Sequence, residues 1–147
     1  MSVSVAEDNC VFAFPHTTVG WAHVVQLPQA DNGNGTKVSK EFKCHDTALH
    51  AMKLSQNGEI LATASSKGTL IRIFNALSGE QLTELRRGAS QAIITDLSID
   101  PTNIYVSACS DNGTVHIFKI HDDSQAGVEN KKSSLAAFGK VVGYFGS

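Results

Sequence analysis

Hydrophobic and polar positions along this chain alternate in short bursts. Runs of β-branched and aromatic residues at 10–14, 19–27, 48–54, 60–65, 70–75, 81–86, 92–99, 104–109 and 114–120 are separated by clusters of Asn, Gly, Asp, Ser and Pro. Each run is too short for a helix and is bounded by turn formers, so each predicts a strand. Gln56-Asn57-Gly58, Ser66-Lys67-Gly68, Leu77-Ser78-Gly79 and Asp111-Asn112-Gly113 predict the tight turns, where Gly adopts the backbone angles other residues resist. Helical periodicity is missing ahead of the last stretch of the chain. The fold class is therefore all-β.

Shifting the chain by 44 positions pairs Ala64 with Ala108, Ser66 with Ser110, Ile73 with Ile117 and Phe74 with Phe118. A period of about 40–45 residues is that of a WD-type propeller blade of four strands. Blades bury their faces on one another, so each depends on its neighbours. The pattern predicts a partial β-propeller over residues 1–120, with two to three blades near 9–44, 45–88 and 89–120, too few to close a ring of about 4–8 blades. Residues 31–40 are expected as a solvated polar connector. Residues 121–132 are a second polar stretch, and Leu135, Phe138, Val141, Val142, Tyr144 and Phe145 then form an amphipathic tail.

Composition narrows the functional classes. With 41% hydrophobic and 18% charged residues among 147, the chain has the make-up of a globular protein. A net charge of −2 argues against nucleic acid or any general polyanion as partner, so anion binding has to be local. Cys10, Cys44 and Cys109 show neither a disulfide framework nor a metal-ligand spacing, and read as reduced thiols of an intracellular protein. Residues 1–9 do not read as a secretory signal. No apolar run approaches the roughly 20 residues of a membrane span, so contact with a membrane is expected from the side.

The candidate chemistry centres on Arg86 and Arg87. Neighbouring side chains on a strand point to opposite faces, so two adjacent arginines predict two separate anion sites rather than one. Gly88 after them leaves room for a ligand to approach. Arg72 lies inside the apolar strand Leu70-Ile71-Arg72-Ile73-Phe74, where an unpartnered charge is costly. The repeat puts His116 at the blade position of Arg72. Ser65, Thr69 and Thr114 add hydroxyls nearby. Planar guanidinium groups with hydroxyl and imidazole donors suit an inositol phosphate headgroup.

Leu85-Arg86-Arg87-Gly88 resembles the Phe/Leu-Arg-Arg-Gly signature of the PROPPIN family, seven-bladed propellers that include the WIPI proteins of animals. Thr63-Ala64-Ser65, residues 68–74 and Gly113-Thr114-Val115-His116-Ile117-Phe118 look like the flanking family segments. The resemblance implies a first headgroup site on His45, Ser65, Thr69, Arg72 and Arg86, and a second on Arg87, Thr114 and His116. Asn112, where some relatives carry serine, stays outside the set. It further implies a phosphoinositide-binding WD-repeat adaptor of autophagy. Its ligands would be phosphatidylinositol 3-phosphate and phosphatidylinositol 3,5-bisphosphate, and its partners other autophagy proteins. Its place would be cytoplasmic, on phagophore or endolysosomal membranes, with the tail resembling the start of a membrane-contact loop. No cofactor or metal is expected.

Two other classes compete. A WD-repeat scaffold would bind proteins and no lipid. An enzyme would draw on Cys44-His45 with His50, or on Cys109 with Asp111 and His116, but neither set has a recognised nucleophile or metal spacing. Were His45 and His116 to face phosphate, affinity would rise as pH falls from about 7.5 to 6, across the ordinary imidazole range near 6.5.

Overall fold

The computed structural model describes residues 1–6, 9–27 and 37–120, so the expected amphipathic tail and most of the 31–40 connector lie outside the described residues. Among the described residues eleven strands form three antiparallel sheets, each assembled in chain order. The first holds β1 (Ser2–Ala6), β2 (Asn9–Pro15), β3 (Trp21–Leu27) and β4 (Val38–Lys43). The second holds β5 (Leu49–Leu54), β6 (Ile60–Ser65), β7 (Leu70–Asn75) and β8 (Gln81–Arg86). The third holds β9 (Ile94–Ile99), β10 (Tyr105–Ser110) and β11 (Val115–Lys119). The leading strands β1, β5 and β9 form the inner edge of the array: β1 and β2 pack on β5, and β5 and β6 pack on β9. This is the blade arrangement of a partial β-propeller.

Each inter-sheet seam has its own core. Between the first and second sheets lie Val11, Ala13, Ala22, Val24, Phe42, Leu61 and Phe74. Ala62, Ala64, Ile71, Ile73, Ile94, Leu97, Val106 and Ala108 fill the other seam. β6 is buried along its whole length because it faces a blade on each side. That explains its unbroken Ile-Leu-Ala-Thr-Ala-Ser run, and small residues there let the sheets approach. Each large aliphatic side chain fully buried in these seams contributes about 1.5–3 kcal/mol relative to exposure.

Two strands depart from the sequence expectation. β1 was not expected, because its inward positions are serines. Ser2 and Ser4 are buried while Val3 is exposed. They face inward to hydrogen-bond the second sheet: Ser2 Oγ accepts from Leu54 N at 2.9 Å, and Ser4 Oγ donates to the Gln56 carbonyl. β4 takes up residues 38–40 of the expected connector. It is an outer strand with Phe42 alone buried, so its sequence carries almost no apolar alternation.

Among the described residues the far face of the third sheet is apolar and open. Tyr105, Val115 and Ile117 lie on it, with Ile117 58% exposed, and among the described residues β11 is that sheet's edge strand. Unpaired strand edges beside apolar faces template association. The 147-residue chain alone is therefore expected to run as oligomers or aggregates in size-exclusion chromatography with light scattering. A compact monomer with a cooperative melt would contradict this.

Candidate functional site

The candidate residues of the second sheet gather where β6 and β8 end and β7 begins, near the links 44–48 and 87–93. Register decides which share a face. Thr63 lies opposite Arg72, Arg72 opposite Glu84, and Leu70 opposite Arg86. Paired residues point the same way, and so do residues two apart. Ser65, Thr63, Arg72, Glu84 and Arg86 thus occupy one face of the second sheet, the face turned to the first sheet. Arg87 follows the strand and turns the other way, toward the third sheet.

Arg72 is held by two partners. Its Nε donates to Glu84 Oε2 at 2.8 Å and its Nη1 to the Cys44 carbonyl at 2.6 Å. The strand could admit this charge because the side chain is still 24% exposed and its acceptors stand in fixed places. His45 enters from the β4–β5 link and is 3% exposed. Its Nε2 lies 3.0 Å from Thr63 Oγ1, and the Thr63 hydroxyl donates to the Arg72 carbonyl at 3.3 Å. Ser65 is buried at the end of β6, and the Thr69 carbonyl accepts from Arg87 N at 2.9 Å. Arg86 is exposed and, among the described residues, pairs with no carboxylate.

Arg87 ties the second sheet to the link that leads into the third. Its Nε donates to the Gly68 carbonyl at 2.7 Å and its Nη2 to the Ser90 carbonyl. Thr114 Oγ1 is 2.7 Å from Ser110 Oγ and 2.8 Å from Asn112 Oδ1, in a turn of the third sheet. His116 lies opposite Ala108 on the face turned to the second sheet, its ring stacked on Phe118 at 6.1 Å. The hydrogen bonds of Arg87 thus go to backbone carbonyls, while Thr114 is bonded within its own turn. Gly88 has an ordinary backbone, and a Cβ there would meet no atom within 4 Å.

The 44-residue shift is kept only in part. Arg72 and His116 do occupy equivalent positions, opposite Thr63 and Ala108. Ala64 and Ala108 do not, because they face each other across the seam between the second and third sheets. The turn from β6 to β7 carries one residue more than that from β10 to β11, so the offset changes within the repeat.

Burial also revises the pH expectation. It holds His45 down at about 4, with the nearby Arg72 charge adding to the effect. His45 is therefore neutral across pH 6–7.5 in the unliganded protein, so a rise in affinity there through this residue requires the bound phosphate to lift its pKa into that range. It also affects stability. The unfolded chain takes up a proton on this histidine near 6.5 and the folded protein only near 4, so stability falls as pH drops through that window. The loss amounts to roughly 3 kcal/mol and levels off below it. Urea unfolding at pH 6.5 and 4.5 checks this: His45→Gln should flatten the part of the slope that histidine supplies. Burial likewise pushes the adjacent Cys44 thiol up to about 12, so it is no nucleophile at neutral pH.

Glu84 and Thr63 were missed from sequence. The signal for Glu84 was present, since a residue two before Arg86 shares its face; the cross-strand pairing with Arg72 was not legible. No helix among the described residues is long and apolar enough to cross a membrane.

Comparison with known proteins covers nearly the whole chain. The PROPPIN family model matches residues 1–144. Autophagy-related protein 18e of Arabidopsis thaliana is 48% identical over 121 residues, 82% of this chain and 30% of the relative. WD repeat domain phosphoinositide-interacting protein 2 of Xenopus laevis is 34% identical over 142 residues, 96% of this chain and 32% of the relative. The solved structure of Kluyveromyces lactis Hsv2 superposes with a TM-score of 0.67 at 28% identity, over 83% of this chain and 38% of that one. The chain thus spans about a third of the length of these proteins.

Proposed function

The chain belongs to the PROPPIN family, and from that premise we propose that it supplies the headgroup-binding blades of a phosphoinositide-dependent adaptor of autophagy. The observation that carries the reading is the pair of guanidinium groups at the end of β8. Arg86 is exposed and free of carboxylates among the described residues, on the face that also holds Arg72 and Ser65. Arg87 is aimed by two carbonyls toward the third sheet. The first site comprises His45, Ser65, Thr69, Arg72 and Arg86, and the second Arg87, Thr114 and His116. The printed name of the Xenopus relative, phosphoinositide-interacting, supports the ligand class.

Phosphatidylinositol 3-phosphate and phosphatidylinositol 3,5-bisphosphate are the lipids proposed, with residues 121–147 touching the bilayer and other autophagy proteins recruited to phagophore or endolysosomal membranes. The test is vesicle flotation of the protein carried through to the length of its relatives. Vesicles bearing either lipid should carry it, and vesicles of unphosphorylated phosphatidylinositol should not. A protein scaffold without lipid binding is the second reading. It is favoured by the internal fastening of Arg72 and Arg87; flotation on none of the vesicles would select it, and equal flotation on all three would remove headgroup recognition.

A further inference from the structure

The carboxylate opposite Arg72 stands where an anionic ligand of the first site would want that arginine. Glu84 lies directly across the β7–β8 pair, takes the Arg72 Nε at 2.8 Å and is two residues from Arg86 on the same face. Its side chain is 39% exposed, so it is neither locked in the core nor fully solvated. A guanidinium binds a phosphate through two adjacent N–H groups. With Nε on Glu84 and Nη1 on the Cys44 carbonyl, one donor of each two-donor edge of Arg72, Nε/Nη2 and Nη1/Nη2, is already engaged.

Resting on the headgroup reading above, we propose that Glu84 is a built-in competitor of the first site: it holds Arg72 in the empty protein and limits affinity for phosphate monoesters until the guanidinium is released or shared. A carboxylate a few ångströms from a bound phosphate repels it, more strongly the more charges the ligand carries. Glu84 therefore weakens binding most for the most highly phosphorylated ligands and keeps the site from retaining them when vesicle density is low.

Glu84→Gln tests this, because glutamine keeps an oxygen acceptor for Arg72 Nε and removes the charge. In the protein carried through to the length of its relatives, E84Q should bind phosphatidylinositol 3-phosphate vesicles roughly tenfold more tightly. The gain should be larger for the 3,5-bisphosphate and shrink at high salt. Soluble inositol 1,3-bisphosphate forms the second arm; a gain in both arms places the effect at the headgroup, and a gain with vesicles alone would overturn competition for Arg72. A merely structural role for Glu84 gives the opposite result, weaker or equal binding for every ligand. Wild type floating normally with E84Q no tighter sinks the competition alone. Neither protein floating on any vesicle or binding the soluble ligand sinks the headgroup reading with it. If E84Q melts well below wild type, Glu84→Thr, suited to an outer strand, is read by the same criteria.

Discussion

Alanine at both Arg86 and Arg87 is expected to abolish flotation on phosphoinositide vesicles, while each single change leaves one site working. The two guanidinium groups leave β8 on opposite sides, Arg86 in register with Leu70 and Arg87 bonded to Gly68 and Ser90. One phosphate cannot engage both. Two weak sites on a rigid body gain about 10²–10⁴ in avidity on a membrane. Losing one should therefore cost far more on vesicles than in titrations with soluble headgroup. The singles should also differ in stability. Arg87→Ala removes two hydrogen bonds to backbone carbonyls and leaves those acceptors without their donor, at about 1–3 kcal/mol. Arg86→Ala should be close to neutral, because Arg86 is exposed. Lysine at either position should rescue in part, since it keeps the charge but lacks the planar fork. A double variant that melts normally and floats like wild type would remove the headgroup reading.

Gly68→Ala should be the most damaging single-atom addition near the site, and Gly113→Ala supplies its control. Both glycines close a turn with a left-handed backbone, at φ 60° and 74°, and both donate N–H to a serine carbonyl three residues back. Their surroundings differ. A Cβ on Gly113 meets nothing within 4 Å, whereas one on Gly68 would sit 1.7 Å from the Ala92 carbonyl oxygen. Alanine at Gly113 should cost about 1–2 kcal/mol, the penalty of the backbone angle alone. At Gly68 the same penalty applies, and the seam between the second and third sheets has to open as well, so the total should exceed about 4 kcal/mol. The displaced Gly68 carbonyl is also an anchor of Arg87, so the second anion site should fail with it. Equal losses in denaturant titrations of the two variants would show that the seam yields at no cost.

What could be read from sequence follows from how strongly burial wrote itself into the residue pattern. β6 is buried along its whole length and β7 is buried or half-buried throughout, and their expected bounds, 60–65 and 70–75, are the observed ones. Where the buried positions are polar or few, the pattern fails. β1 turns serines inward because the neighbouring sheet offers hydrogen bonds, and β4 buries a single phenylalanine. The arginines were legible as residue types. Their partners were not, since Arg72 meets a carboxylate 12 positions away in sequence and a carbonyl 28 positions away.

By itself the sequence determined an all-β chain of short strands, a repeat of blade length, turns at its glycines and a strand ending in adjacent arginines. Those are local properties: two-residue alternation, left-handed turn positions and composition are set by the residues and their immediate neighbours. Only the tertiary structure decided which charges are free. Register placed Glu84 across from Arg72, burial beside Thr63 kept His45 neutral, and the Gly68 and Ser90 carbonyls aimed Arg87 toward the third sheet. One extra residue in the β6–β7 turn was enough to put Ala64 and Ala108 face to face rather than in equivalent places. Side-chain direction in a sheet has a period of two, so the alignment of a repeat is blind to a one-residue change that reverses every face beyond it.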